Sequence, residues 1–230
     1  LYLSENGSFF MTTAANKDFL VGNNASATGN VAVLRNSFMT NVYQLQSGFK
    51  GHRNTLVLSN SQVFVTYTAK AGADAETIPT GSSDNSIQIL QGSLLYAANS
   101  VWLGDNARGD SNGRNRVLVS GSGSRLFSVG GVTVGGKCSD NRLDVSDGGS
   151  VICTNGNITV GYGNLTGTDL YGCSRNVLTV TNGTVELGTT LIVGAAAFTG
   201  CASSDSLADI ASDSVVNTRG VSNINGKNPG

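Results

Sequence analysis

The groups in this chain that could do chemistry are four thiols, a few carboxylates, one imidazole and one indole. The thiols are Cys138, Cys153, Cys173 and Cys201, all in the second half. Cysteines cross-link, bind soft metals or act as nucleophiles. No two are close in sequence and His52 is the only histidine, which argues against a metal site. Acid–base work on a polysaccharide needs several carboxylates converging on one groove with Arg or Lys. The candidates are Asp144 and Asp147, with Asp169 in a following loop. Asp144 falls at an outward strand position, so it reads as a solvated residue. His52 lies in a short basic loop, Lys50-Gly-His-Arg53, with nothing around it in sequence to suggest a Ser–His mechanism. The glycines fall at turns and not between a strand and a helix, so there is no phosphate-binding loop. These residues imply no cofactor, no metal and no enzyme.

Three weaker signals complete the inventory. Arg108-Gly-Asp110 spells an integrin-type tripeptide in a polar loop, a match that is common by chance. Sequons start at Asn6, Asn24, Asn157, Asn164 and Asn182, as expected from a chain rich in Asn, Ser and Thr. Trp102, the only tryptophan, occupies an outward position with Leu20, Ile192 and Ile224 two residues before a terminal glycine. Exposed aromatics mark interfaces, so Trp102 is a contact candidate.

Composition sets what can hold such groups. Of 230 residues, 31 are Gly, 2 are Pro and only 13% are charged, against roughly 25% in ordinary globular chains. This is the composition of many short strands joined by many turns. Apolar residues make up 39% and recur regularly, which excludes disorder. The net charge is −1 with scattered basic residues, so a nucleic-acid partner is not expected. No apolar run is long enough for a membrane helix.

The recurrence is a repeat. Asn54-Thr-Leu-Val-Leu-Ser, Asn85-Ser-Ile-Gln-Ile-Leu, Asn115-Arg-Val-Leu-Val-Ser, Asn141-Arg-Leu-Asp-Val-Ser and Asn176-Val-Leu-Thr-Val-Thr superimpose. Asn30-Val-Ala-Val-Leu-Arg and Ser206-Leu-Ala-Asp-Ile-Ala are weaker copies, and Leu1-Tyr-Leu-Ser fits as a copy entered two residues late. A second apolar stretch follows in each copy, such as Ser150-Val-Ile-Cys or Thr184-Val-Glu-Leu. A third ends in glycine, at Gly22, Gly104, Gly135, Gly161 and Gly194. Apolar residues alternate at period two, the signature of strands with one buried face. One copy cannot bury that face alone, but stacked copies can. The reading is a single all-β domain over 1–230, a right-handed parallel β-helix of about eight rungs starting near 1, 30, 54, 85, 115, 141, 176 and 206. At ~4.8 Å per rung it is a rod on the order of 35–40 Å long.

Two columns follow from this register. Asn30, Asn54, Asn85, Asn115, Asn141 and Asn176 stack, either as an amide ladder or because Asn tolerates the turn. The residues just before the repeat starts read Gly29, Arg53, Asp84, Arg114, Asp140, Arg175 and Asp205, alternating in sign after Gly29. Stacked, each charge meets opposite charges above and below. Cys138 and Cys173 each precede a repeat Asn by three residues, within disulfide reach if they stack. Cys201 could take Cys173 instead, and Cys153 aligns with inward Leu187.

The pattern N-x-L-x-V-x-x-G…V…L-x-V-G, closest from Asn141 to Gly161, resembles the β-helix repeat associated with bacterial autotransporter passengers and PEP-CTERM proteins. That resemblance implies export, a cell-surface or extracellular place, and adhesive or structural work such as a stalk, coat or filament. The alternative is a carbohydrate-active enzyme or carbohydrate-binding module, since pectin-degrading enzymes use parallel β-helices. The first strand carries no cap, so Leu1 and Leu3 join Trp102 as interface candidates. The expected partners are further copies stacked end to end, the rest of a longer rod, or surface glycans.

Overall fold

The computed structural model describes residues 2–5, 7–10, 17–24, 26–73, 82–105, 113–136, 138–163, 173–196, 205–220 and 223–224. Every named element among them is a strand, and no helix is long and apolar enough to cross a membrane. The strands come in groups. The first group is β1 (Tyr2–Glu5), β2 (Ser8–Phe10) and β3 (Phe19–Val21). Then follow β4 (Val31–Arg35) with β5 (Phe38–Phe49), and β6 (Thr55–Ser59) with β7 (Gln62–Ala73). Triplets resume with β8 (Ser86–Leu90), β9 (Leu94–Ala97) and β10 (Val101–Asp105). The next are β11 (Arg116–Ser120), β12 (Arg125–Ser128) and β13 (Val132–Val134). After them come β14 (Arg142–Ser146), β15 (Ser150–Cys153) and β16 (Ile158–Gly163). β17 (Val177–Thr181), β18 (Thr184–Leu187) and β19 (Leu191–Ala196) precede β20 (Leu207–Ile210), β21 (Val215–Thr218) and β22 (Asn223–Ile224).

All pairings between these strands are parallel. The first strand of each group joins an eight-stranded sheet in the order β1-β4-β6-β8-β11-β14-β17-β20. Second and third strands form one fourteen-stranded sheet, because β5 and β7 each run uninterrupted through both positions and weld the two faces. Between β12 and β13, by contrast, the chain turns at Gly130-Gly131.

Period-two alternation places the core. Leu56, Leu58, Ile87, Ile89, Val117, Val119, Leu143, Val145, Leu178 and Val180 are all buried, and they form one cluster with inward residues of the other sheet, including Val63, Leu95, Leu126 and Val151. Burying each such side chain is worth about 1.5–3 kcal/mol. The corner between first and second strands is closed by buried serines. The Ser61 amide donates to Ser93 Oγ at 3.0 Å and the Ser37 amide to Ser61 Oγ at 3.0 Å. Buried backbone donors that the sheets leave over are thus satisfied by hydroxyls.

Three sequence expectations need correction. β1 does not enter as a clean copy: Tyr2 pairs with Val33 but Ser4 with Leu34, so Leu3 sits at an irregularity, and Leu1 lies outside the described residues. At the other end Asn223 pairs with Ile192 and Ile224 with Val193, one residue off the frame counted back from the glycine. Asn223 therefore stands in the outward register where a polar residue is at home, and Ile224 leaves the Trp102 column. Asp144, though outward, is only 5% exposed and not solvated. Two guanidiniums cover it, Arg116 at 2.6 Å and Arg142 from the neighbouring position on its own strand.

Candidate functional site

The stack brings the sequence-marked residues into axial columns. Asn54, Asn85, Asn115, Asn141 and Asn176 are fully buried. Each Oδ1 accepts from the amide and the side chain of the Asn before it. Asn85 donates to Asn115 Oδ1 from N and Nδ2, both at 3.1 Å, and Asn115 donates to Asn141 Oδ1 at 3.2 and 3.0 Å. The same arrangement links Asn30 to Asn54, Asn54 to Asn85, and Asn141 to Asn176. The second Nδ2 proton goes to a backbone carbonyl, as from Asn115 to Ser82 at 3.1 Å. The column is a continuous amide ladder that also caps the first strands.

The terminal glycines are the other half of this device. Gly72 has φ +72°, and a Cβ there would come within 2.4 Å of the Asn115 side chain. Gly48 stands in the same relation to Asn85. Both lie inside the long strands β5 and β7, where the sequence frame did not mark a terminal glycine.

The residues before the asparagines share a left-handed backbone. Arg53, Asp84, Arg114, Asp140, Arg175 and Asp205 have φ between 54° and 63°, and Gly29 has φ 70°. An L-residue there costs about 1–2 kcal/mol. Their amides bond up the stack, from Arg53 to Ser83, Asp84 to Gly113 and Arg114 to Ser139. The charges resolve into bidentate pairs: Arg114 with Asp84 at 2.7 and 2.8 Å, and Arg175 with Asp140 at 2.7 and 2.8 Å. Arg114 also lies within the field of Asp140, which faces it from the next copy. The Arg114 hydrogen bond holds the Asp84 carboxyl below the ordinary carboxylate range.

His52 Nδ1 is 3.0 Å from Ser83 Oγ, which is 3.2 Å from Asp84 Oδ2. The residue types are those of a hydrolytic triad, but the order is wrong. The serine sits between imidazole and carboxylate, so Asp84 engages the hydroxyl and not the base, which is not the relay that activates a nucleophilic serine. Asp147 is engaged by the Ser120 and Ser146 hydroxyls at 2.8 and 2.9 Å. Asp169, the Arg108–Asp110 tripeptide, Cys201, Asn6 and Asn164 lie outside the described residues.

The expected Cys138–Cys173 disulfide is not formed. Both are buried, and Cys138 is a free thiol. Its Sγ lies 3.6 Å from the Gly104 carbonyl and 3.2 Å from Asn141 Nδ2, filling the space left by the missing Gly104 side chain. The thiol is thereby directed at the turn backbone. Cys153 is a free buried thiol in register with Leu187. Burial pushes the pKa of both Cys138 and Cys153 up to about 12. Among the described residues no three His, Cys, Asp or Glu side chains are grouped as a metal site would need.

On the third-strand face the outward column reads Leu20, Gln46, Lys70, Trp102, Thr133, Thr159, Ile192 and Asn223. Trp102 is half-buried, its ring close enough that a Cβ on Gly136 would touch it at 3.0 Å. Lys70 pairs with Asp105 at 2.6 Å.

The second-strand face carries a feature not marked from the sequence. Its outward column is Phe64, Tyr96, Phe127, Ile152, Glu186 and Asn217. Tyr96 lies 5.8 Å from Phe64 and 5.3 Å from Phe127 between ring centroids, and Phe38, in the neighbouring column opposite Gln62, lies diagonally 5.5 Å from Phe64. Where the aromatics stop, the column enters a surface concavity of about 500 Å³ lined by Ile152, Asn155, Glu186, Asn217 and Arg219 among others. The signal was present as aromatics at the outward position of successive second stretches, but reading it requires the turn lengths that align those stretches.

Compared with protein-family models, with curated proteins and with solved structures, the chain matches none.

Proposed function

We propose that the chain is a right-handed parallel β-helix of about eight rungs that works as a structural rod outside the cell or at its surface. The observation that carries this reading is the buried amide ladder. It ties each repeat to the next by side-chain and backbone hydrogen bonds, from Asn30 through Asn176, in one register. A stack bonded along its axis in this way is stiff in the direction a stalk, coat or filament must be. The ionic groups support the same reading. The described pairs close within the chain, Asp84 with Arg114, Asp140 with Arg175, and Asp144 with two arginines. The surface placement rests on the resemblance of the repeat to those of autotransporter passengers and PEP-CTERM proteins.

The edge at β20 and β21 points to how such a rod extends. Ile210 pairs with buried Val180 yet is 43% exposed, and Leu207 and Val215 are 52% and 48% exposed. Apolar residues beside unpaired strand edges are a template for another strand. A further rung, from a second copy, covers them, and repetition of such a contact is open-ended. Light scattering and electron microscopy over a rising concentration series test this. Elongating rods that Ile210→Lys abolishes are the expected result. A monomer at every concentration would remove end-to-end assembly from the account, leaving a segment of a longer rod.

A further inference from the structure

We propose that the second-strand face is a binding platform for a neutral, extended β-1,4-linked glycan. Its apolar faces would lie on Phe64, Tyr96 and Phe127, and its hydroxyls would be read by Glu186, Asn217 and Arg219. The proposal stands whether or not the rod assembles.

Geometry comes first. The rings occupy one register position on successive parallel strands, so they form a straight file with centroids 5.3–5.8 Å apart. That repeat is imposed by strand separation, and it is close to the length of one pyranose unit in an extended chain. From Phe64 to Asn217 the column crosses five strand spacings, on the order of 24 Å. An extended hexasaccharide spans a column of that kind, whereas a coiled α-linked chain does not keep in step with it.

Chemistry comes second. Phe38 is 37% exposed and Phe64, Tyr96 and Phe127 are half-buried, so each ring presents apolar surface to water. Beside the file, in the next outward column, run Phe38, Gln62, Leu94, Arg125, Ser150 and Thr184, so the border is apolar at Phe38 and Leu94 and polar at the other four positions. A protein partner would want a broader apolar centre. A ridge of rings whose border turns polar at Arg125, Ser150 and Thr184 suits a ligand that has CH faces and many hydroxyls. The column then passes into the concavity, where exposed Glu186, Asn155, Asn217 and Arg219 offer acceptors and donors around about 500 Å³. Glu186 and Arg219 are opposite in sign, so the pocket favours a neutral ligand over an acidic one. With rings at one end and hydrogen-bonding groups at the other, the platform has a polarity and orients the chain laid on it.

The test is calorimetry and NMR titration of the full chain with three probes: the β-1,4 hexasaccharides of glucose, mannose and N-acetylglucosamine. The α-1,4 hexasaccharide of glucose serves as control. At least one β-1,4 probe is expected to bind, and the control is not. Tyr96→Ala and Glu186→Gln are each expected to weaken binding about tenfold. Glu186 is exposed, so its substitution should leave the unfolding midpoint unchanged, which separates recognition from folding even if Tyr96→Ala fails to fold. No binding of any β-1,4 probe at millimolar concentration, equal binding of the α-1,4 control, or undiminished binding by Glu186→Gln would each overturn the proposal.

Discussion

Asn115→Ala is the sharpest perturbation of the stack. The side chain is fully buried in mid-column. Its loss removes two bonds accepted from Asn85 and two donated, to Asn141 Oδ1 and to the Ser82 carbonyl. Asn141 Oδ1 keeps the Asn115 amide, and Asn85 Nδ2 keeps Gly51 O and Ser82 Oγ. The Asn85 amide and the Ser82 carbonyl are left without those partners. Each buried group so orphaned costs about 1–3 kcal/mol, so the expected loss for the two is roughly 2–6 kcal/mol. Asn30→Ala supplies the control. Asn30 is exposed, and among the described residues its side chain bonds only to Asn54, as a donor, so water replaces what is lost. Its expected cost is under about 1 kcal/mol. Urea unfolding followed by circular dichroism measures both. Equal losses for the two variants, or a loss at Asn115 under about 1 kcal/mol, would refute the claim that the ladder satisfies buried backbone.

Other perturbations probe other columns. Gly72→Ala places a Cβ against Asn115 on a φ of +72°, and it should destabilise by at least about 1–2 kcal/mol in the same unfolding assay. The Asp84–Arg114 pair contributes under about 1 kcal/mol because both partners are substantially exposed. Since Asp84 has a depressed pKa in the folded chain, that contribution is present above the unfolded carboxylate value and is lost as pH falls through the folded one. The gap in melting temperature between wild type and Asp84→Asn should therefore close in acid. Cys138 and Cys153, buried and raised to about 12, should resist iodoacetamide at mildly alkaline pH until the chain is unfolded. Rapid alkylation of either in the native state would contradict their placement.

What could be read in advance was whatever has a short period. The inward pairs Leu56/Leu58 through Leu178/Val180 repeat every second residue, and all are buried. The start asparagines and the charges before them recur at one position per copy, so their stacking needed only the frame. What escaped depends on local geometry or on variable turns. Gly29 among the charges marks the position as left-handed, a backbone property to which the alternating sign of the side chains is unrelated. Cys138 and Cys173 occupy equivalent positions, yet equivalence says nothing of where a thiol points, and Cys138 points at Gly104. The aromatic file escaped because Phe64, Tyr96 and Phe127 follow the repeat Asn at distances of 10, 11 and 12 residues. Insertions in the corners conceal a register that the sheet restores.

The central claim is that consecutive copies stack in parallel at one strand spacing. Spin labels at Val57 and Thr179 test it directly by pulsed dipolar spectroscopy. Both are outward, and they are linked through Gln88, Leu118 and Asp144. Four strand spacings put their backbones about 19 Å apart. A single narrow distribution near that distance, allowing for the label arms, is the expected result. A broad distribution, or one centred far beyond it, would contradict the stack.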